Sequence, residues 1–467
     1  MKSNGLYLLF LLLGSHTFAQ NRTIVRTKLN HVTIYINHER GNFNGVNEIP
    51  NPFAYSFGTG PETVPFAVVS EQDSIALSLQ HGVKTTFQII RETKGDTLIC
   101  QFSAHKEVKA ATFSDAYKTA HQGQTLIQIP EVYELINVIF ALTRYGQTNA
   151  IYKETDYYRA VRKHFEPYRH QAAVRTIDSL LAQSEDIYAP LKMDSYAYAF
   201  SGDQIEKTGV YDRVSWGETN TLEPYIPLLM SFAKQSDYRT FFRKHGSYYA
   251  SLVADFRQNV DVAAMKQWLE KQFPRTRYSA IKVIFTPLVG WNQSANSFSD
   301  NGFTEAQAHI NFPFITTFMS QQPAAIVKGG RMLIVFTELN HSYLNPEADR
   351  YASEIAVAYQ DLLNWITTGK PSGNYNNPLA CFEEYMNYAL VTLLYSDLFD
   401  KQTFQSLKTN LENNMVNQRG FRHFREFNEE LLRLYQNRQP GQTVADLYPA
   451  IIAWSGQQKS DYKLLTK

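Results

Sequence analysis

The sequence predicts an α+β protein: an N-terminal β-rich module followed by a mainly helical domain that carries a small sheet. Three observations support this. Up to about residue 125 the apolar residues are β-branched and aromatic, in short runs broken by Gly, Asn and Pro. At Pro130 the apolar spacing becomes helical. Inside the helical part, two stretches return to strand character just before a long helical pattern. The boundaries that follow are 1–19 for an export signal, 20–125 for the β-rich module and 126–467 for the mainly helical domain.

The signal is read from Lys2, the apolar run Leu6 to Leu13, and Thr17-Phe18-Ala19 before Gln20. The run is too short to span a bilayer. No cysteine lies near the cleavage site and no later segment has the length of a membrane helix. The expectation is therefore a periplasmic or extracellular protein with no integral membrane segment after cleavage. In the β module, "HVTIYINH" and "TTFQIIRET" read as strands, and "GDT" turns the chain into "LICQFSA". Between them, "NFNGVNEIPNPFAYSFGTGPET" reads as a long loop.

"PEVYELINVIFALTRYG" opens the helical part with Pro in the first turn, and its apolar density predicts burial. "TDYYRAVRKHFEPYRHQAAVRTIDSLLAQ" continues as amphipathic helix, interrupted at Pro167, and the alternation in "DSYAYAF" suggests a strand. Helices resume through "DYRTFFRKHGSYYASLVADFRQNVDVAAMKQWLEKQF". "RYSAIKVIFTPLVGWNQSANSF" then reads as a strand running into a loop. "AQAHINFPFI", "GGRMLIVFTELNHSYLN" and further helices complete the chain.

Composition excludes several function classes. The 45 basic and 44 acidic side chains leave no net charge once Lys2 is removed with the signal, so there is no electrostatic footprint for nucleic acid or anionic lipid. Two cysteines, Cys100 and Cys381, allow one disulfide or two separate buried thiols. The chain lacks a phosphate loop, a dinucleotide Gly motif, a G-x-S-x-G elbow and a paired-cysteine zinc motif. What is left is a His/carboxylate site.

The stretch "VFTELNHSYLNP" supplies one. In the zinc-protease helix H-E-x-x-H, two histidines four apart share one helical face and one metal, and the glutamate is the general base. Here Glu338 and His341 are in place, and Thr337 stands where the first histidine belongs. Downstream, "CFEEYMNYALVTLLY" places Glu383 and Glu384 on a strongly apolar helix. Such an acidic pair is either buried and partnered, or exposed at the helix N-terminus against the dipole. Arg419 and Arg422 in "QRGFRHF" are candidates to stabilise an oxyanion. Tyr343, Tyr385 and Tyr388 are candidates to polarise a carbonyl or donate a proton.

"IPEVYELINVIFALT", "DYYRAVRKHFEPYRHQ", "DSYAYAFSGDQI", "FTELNHSYLNP", "FEEYMNYAL" and "RGFRHFREF", spread over roughly residues 126 to 455, resemble a family of secreted bacterial proteins of unknown function. The core of that family is zincin-like, similar to H-E-x-x-H metallopeptidases with a glutamate third ligand. The resemblance implies a metallohydrolase, foremost a peptidase, acting on a peptide or protein with a divalent metal such as zinc. It makes Glu338 the catalytic glutamate, His341 a ligand and Glu384 the third ligand, with Glu383 as its alternate. Of the arginine and tyrosine candidates read from the residues, Arg422 and Tyr388 are the ones expected to act beside Glu338.

Thr337 is the departure, because a neutral hydroxyl is a poor zinc ligand and the set is one ligand short. Glu338 could turn inward as a ligand, or His309 or His423 could supply one. Otherwise the metal is lost and a catalytically silent protein binds a peptide or glycan, a reading consistent with an aromatic content of 14%. A substrate-holding strand edge is expected from "KVIFTPLVGW" or "AQAHINF".

Overall fold

The computed structural model describes residues 23–29, 32–40, 53–59, 61–106 and 108–458; the export signal expected at 1–19 lies outside them. The chain divides into two compact units, Met1–Glu107 and Val108–Lys467. Residues 108–124, which the sequence reading assigned to the β module, pack with the second unit. Phe113 is part of its core, and Tyr117 packs against that core.

The described residues of the first unit form two four-stranded sheets. Ile24–Thr27, Thr85–Arg91, Asp96–Lys106 and Phe53–Thr59 form one. Glu39–Arg40, Thr33–Ile36, Thr63–Val69 and Ser74–Gln80 form the other. Their alternating inward residues, among them Val25, Ile34, Phe66, Phe87 and Phe102, make one core.

The second unit is built on a four-stranded sheet in the order Ser294–Asp300, Phe303–Asn311, Ala280–Thr286, Thr125–Gln128. The first pair is antiparallel and the others are parallel. Every residue of Ala280–Thr286 is buried, as expected of a strand covered on both faces. Its alternate residues serve two different cores. Ile281, Val283 and Phe285 face the C-terminal helices, and Ala280 and Ile284 face the helices between Glu131 and Tyr249. Helices thus cover both faces of the sheet, and the architecture is α+β as the sequence predicts.

Both expected interior stretches are strands, but neither is an edge. Ala280–Thr286 and Phe303–Asn311 are central, and the edges are Ser294–Asp300 and Thr125–Gln128. The reason lies in the chain order: the antiparallel return through "SANSFSD" closes off the side where a substrate was expected. "DSYAYAF" is a strand only from Tyr198, where Tyr198–Ser201 pairs with Gln204–Lys207; Asp194 still belongs to a helix, Tyr188–Asp194. Cys100 and Cys381 are both free and buried, one in each unit. No helix among the described residues is long and apolar enough to cross a membrane.

Two helices set up the site. Ala324–Ala348 starts behind Pro323 and carries the T-E-x-x-H residues. Pro378–Leu398 starts at Asn377, whose side chain accepts from the Ala380 N–H, and carries Glu383 and Glu384. They pack along their length. Tyr395 Oη donates to Gly329 O (2.6 Å) at one end, and Asn340 Nδ2 donates to Asn387 O (3.0 Å) at the level of the motif.

Candidate functional site

Glu338, His341 and Glu384 line one cavity of about 780 Å³, a size suited to a ligand site. The Glu384 alternative of an exposed N-terminal acid is overturned, because its side chain is only 3% exposed and fully engaged. Its Oε1 accepts from Tyr375 Oη (2.7 Å) and Arg419 Nη2 (2.7 Å). Its Oε2 accepts from Asn387 Nδ2 (3.2 Å) and lies 3.7 Å from His341 Nε2. Burial works against ionisation of Glu384, but the Arg419 guanidinium, His341 and the Tyr375 bond outweigh it and hold the carboxyl below its usual range.

His341 is held at both nitrogens. Nδ1 is 3.2 Å from Asn345 Oδ1 and Nε2 is 2.8 Å from Asn387 Nδ2. Since an amide oxygen only accepts and an amide nitrogen only donates, Nδ1 carries the proton and the Nε2 lone pair accepts from Asn387. Thr337 contributes nothing there. Its Oγ1 is shared between Leu333 O and Ile334 O (3.1 Å each), turned back on its own helix.

Glu338 lies at the cavity wall, where burial and the neighbouring Glu384 push its carboxyl up to about 8, against the pull of Lys192 and Arg419. Lys192 is fully buried and donates to Asn292 O. Burial pushes its ammonium down to about 7, opposed by Glu338. Glu338 thus keeps its proton far above the usual carboxylate range while Lys192 releases its own far below the usual amine range, and such opposed shifts are typical of functional sites.

Arg419 reaches the site from the end of a π-helical turn, Asn414–Arg419, closed by Gly420 at φ +86°. A Cβ on Gly420 would sit 2.8–3.0 Å from Lys370 and Thr367, so glycine is required by both backbone and space. The guanidinium lies over the Tyr388 ring at 4.5 Å. Trp216 and Trp291 are exposed on the cavity wall. The loop bearing Trp216 is pinned by buried Asp194, which accepts from Val214 N, Ser215 N and Thr221 N.

Several sequence candidates lie elsewhere. Glu383 does not line the cavity; burial and nearby Asp349 push its carboxyl well up. Arg422 binds the backbone, its N–H to Trp365 O and its Nε to Ile366 O, so of the two arginines Arg419 is the one in the site. His309 is sealed in the sheet core against Gln307, and His423 is bonded to Asn364. Tyr385 donates to Trp365 O, and Tyr343 packs on Tyr278. Tyr388 lines the cavity. Among the described residues, no group of three or more His, Cys, Asp and Glu side chains is arranged to hold a metal ion.

Sequence reasoning missed Asn387, Tyr375, Lys192 and the two tryptophans. Asn387 had a signal: it follows Glu384 by three, as His341 follows Glu338, so both pairs share a helical face. The others come from loops and a distant helix that no local pattern connects. The comparison with curated proteins found no match, and the comparison with solved structures found none. Residues 125–454, nearly the whole second unit, match the model of a family described as a domain of unknown function, DUF4932, and the chain belongs to that family.

Proposed function

We propose that this cleft is the site of an exported zincin-like metallohydrolase acting on a peptide. The observation that carries the reading is the convergence of Glu338, His341 and Glu384 on one cavity. The donors fit a divalent cation in part. The His341 Nε2 lone pair and Glu384 Oε2 face each other at 3.7 Å, and their far atoms are fixed by Asn345, Tyr375 and Arg419. Such outer contacts are what orient metal ligands. When bound, a cation supplies Lewis acidity toward the scissile carbonyl and toward water.

The residues of the chain do the rest. Glu338, poised near neutrality, takes a proton from the attacking water and returns it to the leaving amine. Arg419 holds Glu384 ionised and Tyr388 in place. Lys192 balances charge on Glu338 as it ionises. The exposed edge Ser294–Asp300 is partly covered, since Trp216 Nε1 donates to Ala295 O (2.9 Å). An extended substrate therefore meets the Trp216 loop before it meets that strand.

The test is hydrolysis of a mixed peptide library by the purified protein with and without chelator, beside Glu338→Gln. Chelator-sensitive cleavage that Glu338→Gln abolishes supports the reading; cleavage unchanged by both sinks it. One observation favours a second reading, a silent cleft that binds glycan: Trp216 and Trp291 present exposed rings on the cavity wall, suited to stacking on sugars. Glycan binding without any hydrolysis is its signature.

A further inference from the structure

Thr337 leaves the cleft one ligand short, and a neighbouring buried group has an unused oxygen. Asn387 is 2% exposed, and its Oδ1 has no hydrogen-bond partner. An orphaned buried carbonyl oxygen is costly. The other end of the same amide, Nδ2, sits between the two metal-type donors, 2.8 Å from His341 Nε2 and 3.2 Å from Glu384 Oε2. Half a turn about the Cβ–Cγ bond exchanges the two ends of the amide. It brings Oδ1 beside the imidazole lone pair and the carboxylate, where it is repelled unless a cation lies among the three.

We propose that Asn387 is the third ligand of a His341–Glu384–Asn387 divalent-cation site, replacing the ligand that Thr337 does not supply. The inference rests on the metallohydrolase reading of this cleft. The separations support it. The three donor positions stand 2.8, 3.2 and 3.7 Å apart. Two ligands bonded to one cation at about 2.0–2.2 Å lie roughly 2.8–3.6 Å from each other between octahedral and tetrahedral angles, so the set closes on a cation with a shift of about 0.1 Å.

One imidazole nitrogen and two oxygens suit zinc, manganese or iron, and the cavity side stays open for water and substrate. The outer contacts already serve such a site. Asn345 fixes the His341 tautomer, and Tyr375 with Arg419 occupies the Glu384 oxygen that faces away. The backbone is prepared too, since Asn340 ties the Asn387 carbonyl to the facing helix.

The full chain, stripped with chelator, is titrated calorimetrically with Zn²⁺ and with Mn²⁺. Wild type is expected to bind one ion, and Asn387→Ala to weaken it 10–100-fold. Asn387→Asp is expected to bind at least as tightly as wild type, because it keeps an oxygen and adds charge. A merely structural amide predicts the reverse, since Asp cannot donate to His341 and Glu384. Asn387→Cys loaded with Co²⁺ gives a direct signature: thiolate-to-cobalt charge-transfer absorption appears only with residue 387 on the metal.

Wild-type-like affinity in Asn387→Ala, or a Co²⁺ spectrum without that band, overturns the inference while leaving the metallohydrolase reading standing. Failure of wild type to bind either ion overturns both.

Discussion

The second unit contains two buried clusters made of the same ingredients, and they are finished differently. On the sheet, Lys282 Nζ lies 2.6 Å from Tyr117 Oη, 2.8 Å from Tyr211 Oη and 3.5 Å from Glu305 Oε2. Glu305 is closed off by Tyr117, Tyr211 and Gln307. In the cleft, Glu384, Arg419, Tyr375 and His341 make a similar ring, but Glu338 looks into a cavity and the Asn387 oxygen is unpaired. A network in which every group is satisfied holds the fold. One with a carboxyl that titrates near neutrality and an orphaned acceptor, set against open volume, has what the proposed ligand site requires.

The comparison can be broken most directly by exchanging consequences. Glu338→Gln is expected to lower hydrolysis by about 10²–10⁴-fold while the unfolding transition barely moves. Lys282→Met is expected to do the opposite, costing about 3–5 kcal/mol by leaving Glu305 buried without its cation, with the remaining folded protein still binding cation in the cleft. Denaturant titration and turnover measured on both variants decide this. If Glu338→Gln unfolds the protein, or if Lys282→Met is harmless, the division into structural and functional clusters is wrong.

A smaller effect is expected at the hinge that presents Arg419. Gly420→Ala places a side chain at φ +86° against Lys370 and Thr367, which costs about 1–2 kcal/mol. Because Arg419 then shifts off Glu384, ligand affinity in the cleft should fall with it. Stability lost with cleft binding intact would show that Arg419 is only a strut.

The pH dependence sharpens the same contrast. Glu134, fully buried behind Tyr157, has its carboxyl pushed by burial from 4.5 up to about 7. Its folded state binds the proton more tightly than its unfolded state. Its contribution is fully present below the usual carboxylate range and is lost as pH climbs to about 7. Glu134→Gln should flatten stability over that window without touching the cleft. In the cation-free chain Glu338 behaves with the same sign up to about 8, but adding Zn²⁺ should draw its titration downward, since a cation favours the ionised form. A Zn²⁺-insensitive profile at Glu338 would separate it from the metal.

The smallest effect is expected at the rim. Trp216→Ala removes an exposed ring and its bond to Ala295 O. It should raise KM about 2–10-fold with kcat unchanged, since buried Asp194 still pins the loop. An equal fall in kcat would place Trp216 in the chemistry instead.

Much of the fold was legible because its elements are strongly patterned. Pro130 stands at a helix start where its fixed φ favours it, and the β-branched and aromatic run "KVIFT" is a strand, buried throughout because helices cover both faces of its sheet. The edge strand was misread because "SANSFSD" is polar and looks like loop; it is ordered by its antiparallel pairing with Phe303–Asn311. Within the cavity, Glu338 and His341 were singled out by the T-E-x-x-H spacing, Glu384 by the family resemblance and Tyr388 as one of three candidate tyrosines. Arg422 was preferred over Arg419 because two arginines three apart look alike in sequence, and only the π turn decides which one reaches Glu384.

By itself the sequence determined that Glu338 and His341 share one helical face, that Glu383 and Glu384 sit on a strongly apolar helix, and that Thr337 could not serve as an imidazole. Helical periodicity and side-chain chemistry are local and need no neighbours. Only the tertiary structure decided that Thr337 spends its hydroxyl on its own helix, that Glu384 is ionised by Arg419, and that Asn387 stands between His341 and Glu384. Those outcomes depend on which side chains meet across the two helices and the turn at Gly420, and contact across elements is not written in the spacing along any one of them.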